Sequence, residues 1–120
     1  MDALEMDRIS AQLVTVYGDS VTVGQDGQRR LLRIDGVELY PGCQPPKTAM
    51  LLVLDPNQPK PLVFVTPGQL LFNGHVPKNS SNILIAGQTW MQFSFNIPWQ
   101  PGDNAMRFVA AARQRFAQNE

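Results

Sequence analysis

The chain has very little of the two residue types that supply most metal-binding and nucleophilic chemistry: one cysteine, Cys43, and one histidine, His75. A single cysteine excludes a disulfide bond within the chain and a zinc site built from several thiolates. Acidic residues are also missing from a long stretch, since no Asp or Glu lies between Asp55 and Asp103. One histidine without a nearby acidic cluster does not make a metal site. We therefore expect no bound metal and no cofactor.

An excess of charge of one sign is also lacking, because ten basic residues balance ten acidic ones. Proteins that bind nucleic acid neutralise phosphates with surplus Lys and Arg, so this balance argues against such a partner. The densest basic stretch, Arg29, Arg30 and Arg33, is typical of a solvated strand face. No segment reaches the roughly 20 apolar residues of a membrane span. The start, "MDALEMDR", lacks the order of a signal peptide, so we expect a cytoplasmic protein that does not bind membranes.

What is present is the composition of one folded domain. At 120 residues the chain can build a single modest core, and 43% hydrophobic residues are too many for a disordered segment. We therefore treat residues 1–120 as one domain. Amphipathic patterns predict a helix near each end, over residues 2–17 and 104–118, with Asp2 and Asp103 as the N-caps.

Strand patterns fill the first half of the region between these helices. Alternating apolar and polar residues on both sides of Asp26-Gly27 predict a hairpin with a tight turn. The runs "TAMLLVLD" and "LVFVT" predict two further strands, and the prolines lie outside both runs. Short connections favour a four-stranded antiparallel meander over residues 20–66, and hence an α+β fold.

Residues 67–89 are predicted to be mostly irregular, apart from the short apolar run at residues 83–85. A connection of this length is usually functional or flexible. A further strand is expected to begin at Trp90, which shares its phase with Gln92 and Ser94 and should therefore lie on the wetter face. The residues of that strand expected to point inward are Met91, Phe93 and Phe95.

Three motifs in this order resemble one known family. "NQPKPLVFVT" looks like a proline-rich turn leading into a fourth strand, "HVPKN" like a stretched His-Pro-Asn motif, and "WQPGDNAMRFVAAARQRF" like a Trp-x-Pro segment with its helix. Together they resemble the ubiquitin-conjugating enzymes over roughly residues 48–116. The corner "YPGCQPP" is similar to diverged bacterial members, which occur with activating-enzyme-like and ubiquitin-like partners. The resemblance implies a ubiquitin-conjugating-enzyme-like fold with an irregular active-site-like segment before the C-terminal helix.

The resemblance also implies that the standard nucleophile is missing. In the family the catalytic cysteine follows the His-Pro-Asn motif, typically three residues past a glycine. Gly87 is the matching glycine here, and three residues later stands Trp90. Thioester exchange requires a thiolate, and indole is not a nucleophile at neutral pH. Because family members without the cysteine act as binding partners, we expect a non-catalytic adaptor for a ubiquitin-like protein, an activating-enzyme-like protein or a catalytic relative.

Other nucleophiles remain candidates if the protein is an active, atypical conjugating enzyme. Cys43 lies in a predicted turn, where its alternative role is that of a small, half-buried packing residue. Ser80 and Ser81 are the hydroxyls nearest to His75, but a serine nucleophile also needs an orienting acid and oxyanion donors. Asn79 matches the family's oxyanion-stabilising asparagine, at a longer spacing from His75 than the family has. His75 could instead pin its loop through a backbone hydrogen bond.

Three residues are candidates for partner binding: Trp90, His75 and Gln92. A partly exposed tryptophan is favoured at binding hot spots, whereas a covered one would be a structural plug. A third functional class stays open beside the adaptor and the enzyme, namely a small structural interaction module whose likeness to the family is coincidental.

Overall fold

The computed structural model describes residues 1–93 and 96–118, which form an α+β domain with a helix near each end. The helices are α1 (Ala3–Tyr17) and α2 (Ala105–Gln114). The strands are β1 (Val21–Asp26), β2 (Arg29–Glu38), β3 (Lys47–Leu54), β4 (Leu62–Val65), β5 (Ser81–Ile85) and β6 (Gln88–Gln92). This order confirms the predicted α+β class and both terminal helices. No described helix combines the length and the apolar character that crossing a bilayer requires.

The six strands form one antiparallel sheet in the order β1-β2-β3-β4-β6-β5. The first four strands are neighbours in chain order, as predicted for a meander. β6 lies beside β4, to which it is linked by the pair Val65 and Met91, and β5 forms one edge. The sheet therefore adds two strands to the predicted meander: β6, which corresponds to the strand expected to begin at Trp90 but begins at Gln88, and β5.

The β1–β2 hairpin turns one residue later than its turn signal indicated. Asp26 pairs with Arg29 across the two strands, so the loop consists of Gly27 and Gln28. Gly27 has a φ of 62°, a left-handed conformation that glycine adopts without steric penalty. The Asp26 carboxylate also forms an ion pair with the Arg29 guanidinium, which favours keeping Asp26 in the strand.

Helix α1 begins at the predicted cap. The Asp2 carboxylate accepts a hydrogen bond of 2.8 Å from the Glu5 backbone N–H. The Glu5 carboxylate does not complete a capping box with Asp2, because it pairs with the Arg8 guanidinium and accepts from the Gly102 N–H at 3.3 Å. These contacts, chiefly the hydrogen bond from Arg8, lower the pKa of Glu5. Glu5 thus connects α1 to the turn that precedes α2.

Helix α2 begins one residue later than predicted and has a different cap. Asn104 is the N-cap: its backbone is extended, and its side chain accepts from the Met106 N–H at 2.8 Å. The predicted cap, Asp103, instead accepts from the Gln100 N–H at 2.8 Å and closes the preceding turn. The helix ends at Gln114 and continues only as a 3₁₀ turn over Arg115–Ala117, so the predicted span of 104–118 was too long.

Different elements cover the two faces of the sheet. One face, here called the helix face, packs against the apolar stripes of α1 and α2 in the larger hydrophobic core. The opposite face, the hairpin face, holds a smaller buried cluster of Leu51, Val53, Phe64, Ile85 and Trp90. Residues 51–54 of β3 alternate between the faces and are all buried, which is the pattern of a strand covered on both sides.

Candidate functional site

The stretch expected to be irregular contains a β-hairpin. β5 and β6 pair from Ser81 and Gln92 down to Ile85 and Gln88, leaving Ala86 and Gly87 as a two-residue loop. Both loop residues have positive φ, 50° and 81°, as a type I′ turn requires. The prediction of mostly irregular structure exempted the apolar run at residues 83–85, which lies in β5, but it missed the hairpin, because the pair Ala-Gly is a weaker turn signal than Asn-Gly or Asp-Gly. Gly87, the glycine matched to the family, serves here as a turn residue.

Trp90 lies in the interior, with its side chain in the cluster of the hairpin face and 3% of its surface exposed. It points away from Met91 and Phe93, as strand alternation predicts, and Gln92 on the same side is exposed as expected, but the Trp90 ring itself is covered. The cleft beside it is about 150 Å³ and is walled both by Gly24 of β1 and by Ala86 of the hairpin loop. The hairpin tip therefore lies over the meander and covers Trp90.

This burial agrees with the alternative of a structural plug under the preceding segment only in part, because the ring packs against Leu51, Val53 and Phe64 of the meander as well as against Ile85. Direct partner binding by Trp90 stays a prediction. Phe95, predicted to point inward, and Ser94, predicted to share the side of Trp90, lie outside the described ranges.

Arg33 fastens the hairpin to the meander. Its guanidinium carbon lies 5.4 Å from the centre of the Trp90 ring, which is cation–π distance. It also donates to Gln88 Oε1 at 3.0 Å and to Asp35 Oδ1 at 2.8 Å. A buried indole beneath a paired guanidinium offers no nucleophile.

Arg33 does not stand out from its basic neighbours in the sequence. Arg33 and Arg30 are three positions apart on β2 and so lie on opposite sides of the strand. Arg30 pairs with Asp7 of α1 at 2.6 Å on the helix face, whereas Arg33 lies on the hairpin face. Strand alternation was the signal that separates these arginines, and it predicts that they do not form one basic patch.

Cys43 is buried instead of half-buried, with 1% of its surface exposed. Its Sγ lies 3.7 Å from the Phe116 carbonyl oxygen, to which it donates. Burial raises the pKa of the Cys43 thiol, and a backbone hydrogen bond with Tyr40 offsets this only in part. The adjacent Gly42 packs so closely that a Cβ there would stand 2.1 Å from the Phe72 carbonyl oxygen. The corner is therefore tightly packed. The Cys43 thiol is inaccessible to solvent, and its environment disfavours the thiolate.

His75 is exposed in a turn held by main-chain hydrogen bonds. Its carbonyl accepts from the Leu71 N–H at 2.8 Å, and its own N–H donates to Asn73 Oδ1 at 3.1 Å. The backbone of His75 thus holds its loop through hydrogen bonds, in agreement with the alternative role predicted for this residue. Asn79 has a φ of 56°, a left-handed conformation that asparagine tolerates better than most residues.

The serine candidates lie where the loop enters β5. Ser80 is half-buried, and Ser81 is exposed at the first position of the strand. The Ser81 hydroxyl accepts a hydrogen bond of 2.7 Å from Gln92 Nε2, its cross-strand neighbour. The structure therefore brings together Ser81, a candidate nucleophile, and Gln92, a candidate for partner binding, in one exposed pair.

Within residues 1–93 and 96–118, no three His, Cys, Asp or Glu side chains are grouped as metal ligands would be. Comparison of the chain with protein-family models, with curated proteins and with solved structures finds no match.

Proposed function

We propose that the chain is a non-catalytic, ubiquitin-conjugating-enzyme-like protein that acts as a binding or adaptor partner in a ubiquitin-like conjugation pathway. The observation that carries this proposal is the burial of Trp90, three residues past Gly87, where the resemblance would place the nucleophile. The atom that accepts a transferred acyl group must be exposed to solvent, so that an attacking amine can approach it. An indole that is 3% exposed gives no such access.

The only thiol of the chain supports the same conclusion. A nucleophilic cysteine needs a lowered pKa and partial exposure. Cys43 is buried, and its pKa is raised by desolvation, which is the environment of a structural cysteine. Thioester chemistry through Cys43 would require the corner to open.

The order of elements also supports the proposal, since an N-terminal helix, four meander strands and a C-terminal helix follow one another as the resemblance implies. The main departure is the β5–β6 hairpin, which stands where an irregular active-site-like segment was expected. His75 and Gln92 are both exposed and remain the residues through which we propose that a partner is contacted.

The test exposes the chain to an activating enzyme already charged with its ubiquitin-like protein. We expect no covalent adduct, and we expect reversible binding to the ubiquitin-like protein, to the activating enzyme or to a catalytic relative. His75→Ala and Gln92→Ala should weaken that binding. Gln25→Ala, which changes an exposed glutamine on β1, is the matched control and should not.

Two results would contradict the proposal. A thiol-labile adduct that is lost in Cys43→Ala, or a base-labile adduct that is lost in Ser80→Ala or Ser81→Ala, would identify an atypical enzyme. The absence of binding to all three kinds of partner would remove the adaptor role.

A further inference from the structure

Strand β5 is an edge of the sheet without the usual protection of an edge strand. Residues Ser81–Ile85 contain no charged residue and no proline. Leu84 is 70% exposed and Ile83 is 38% exposed. Natural edge strands are commonly blunted by charges, prolines or bulges, and an unprotected edge is a template for pairing with another strand.

The opposite edge, β1, is different. It ends in Asp26, and Asp19 lies two residues before its start, so acidic residues stand near both ends of the strand. Two copies of β1 placed side by side would bring some of these carboxylates close together, and like charges across a strand pair are destabilising. We therefore expect β5 to pair with another strand more easily than β1.

The hairpin loop determines which backbone groups of β5 point outward. In a two-residue hairpin the residues that flank the loop form a hydrogen-bonded pair, and Ile85 and Gln88 are those residues. Ile83 and Ser81 then also direct their backbone groups toward β6. Asn82 and Leu84 direct theirs toward the free edge, which leaves two N–H and two C=O groups facing outward from each strand.

We propose that β5 pairs antiparallel with β5 of a second copy of this chain, about a twofold axis at Ile83. In this register Asn82 lies opposite Leu84 of the second copy, and Leu84 lies opposite its Asn82. Each of these two pairs exchanges two hydrogen bonds, so every outward group of residues 82 and 84 has a partner. Ile83 faces its own equivalent in a non-hydrogen-bonded pair, in which Cα atoms approach to about 4.5 Å.

The occupant is a second copy because the edge is self-complementary. The register uses the same residues from both strands, and no like charges meet because β5 is uncharged. The formal net charge of zero adds no overall repulsion between copies. A strongly acidic or basic peptide would find no opposite charge on this strand.

The dimer is weak, since pairing of one five-residue strand buries less than the roughly 1,200 Å² of a standard stable interface. It therefore depends on concentration. The inference rests on the edge geometry alone and does not depend on the proposed function.

Sedimentation equilibrium of the full chain tests the dimer from about 5 µM to about 500 µM, a range that brackets a weak dissociation constant. The average mass should rise toward that of a dimer. Leu84→Lys and Asn82→Pro should each weaken association at least about tenfold, by adding charge to the edge and by removing an outward N–H respectively. Val23→Lys, a matched change at an exposed apolar residue of β1, should not weaken association. Circular dichroism would verify that each variant is folded.

Two further measurements test the register. The backbone amides of Asn82 and Leu84 should exchange hydrogen more slowly as concentration rises, whereas those of Ile83 and Ile85 should be protected at every concentration. In a Cys43→Ala background, Ile83→Cys should form an intermolecular disulfide under mild oxidation faster than Leu84→Cys, because only residue 83 faces its own equivalent.

A chain that stays monomeric over the whole concentration range would overturn the proposal, whatever other protein the edge then captures. So would a dimer that is insensitive to both edge variants. Faster cross-linking of Leu84→Cys would overturn the proposed register.

Discussion

The helix face and the hairpin face of the same sheet are buried by different means, and they differ in how much supports them. The helix face is covered by two capped helices whose stripes join most of the hydrophobic core. The hairpin face is covered by two strands of its own sheet, held over the meander by Trp90 and by the contacts of Arg33. The helix face therefore rests on a large core and two helices, whereas the hairpin face rests on a smaller cluster around Trp90, on the contacts of Arg33 and on one two-residue turn.

The largest expected effect comes from removing an aromatic ring from the helix face. Phe116 is fully buried, and its ring centre lies 5.0 Å from that of Phe93 in an edge-to-face arrangement. Phe116→Ala should lower the free energy of unfolding by about 5 kcal/mol, near the upper end for aromatic truncation in a core. Urea denaturation measures this loss. If Phe116→Ala is too unstable to fold, Phe116→Leu should still fold, with a smaller loss of unfolding free energy. A Phe116→Ala variant as stable as the wild type would refute the ranking of the two faces.

Trp90→Ala tests the hairpin face. We expect a loss of about 3 kcal/mol, near the lower end for such truncations, because the hairpin can collapse into the space that the ring leaves. Hydrogen exchange should show faster opening of β5 and β6 amides than of β3 amides, a local effect that Phe116→Leu should not produce. Equal acceleration across the sheet would show that the two faces are one cooperative unit. A mutant that keeps its stability but loses partner affinity would instead assign Trp90 to binding.

The hairpin turn should contribute a smaller amount. Gly87 has a φ of 81°, so Gly87→Ala should cost about 1–2 kcal/mol through left-handed strain. The neighbouring Ala86 has a φ of 50° and provides the matched control. Ala86→Gly should stabilise the chain by up to about 1 kcal/mol, because relief of strain outweighs the added freedom of the unfolded chain. Thermal unfolding of both variants measures the contrast, and a destabilised Ala86→Gly would argue against the type I′ turn.

The smallest expected effect concerns the helix layer and appears only in acid. The pKa of Glu5 is lowered chiefly by its hydrogen bond from Arg8, so the folded state favours the charged carboxylate. Its stabilisation is present above the ordinary pKa of 4.5 and is lost as pH falls below that value through the lowered pKa. Glu5→Gln should therefore flatten the fall of the urea midpoint in acid, and Arg8→Gln should reduce it in the same pH range. Identical midpoint curves for the wild type and both variants would show that this pair does not contribute.

Much of the helix face could be predicted from short stretches of sequence. The apolar spacing of residues 6, 9, 13, 16 and 17 predicted a buried stripe on α1; Met6, Ile9 and Leu13 are buried, whereas Val16 is 58% exposed. Asp2 predicted the start of the helix. The cap of α2 was misplaced by one residue because Asp103 and Asn104 are both good N-caps, and only the turn that Asp103 closes with Gln100 decides between them.

The candidate site was harder to predict, because the sequence shows only the neighbours of each residue along the chain. The turn around Cys43 was readable from Gly42, but the thiol is buried in a core built from distant parts of the chain, including Phe116, whose carbonyl oxygen accepts from Sγ. The β5–β6 turn was missed because Ala86 needs the two flanking strands to hold it in a left-handed conformation. Gln92 was expected to be exposed, and it is.

Which residues of each strand share a side follows from the order of residues alone, since side chains alternate with a period of two whatever elements lie nearby. This alternation placed Trp90 correctly on the side opposite Met91 and Phe93. Gln92 on this side is exposed, whereas Trp90 is buried through contacts between distant segments, such as that between Arg33 and Gln88, which are 55 positions apart. Alternation along a strand shows which way a side chain points, whereas packing between distant segments determines whether it meets water or another part of the chain.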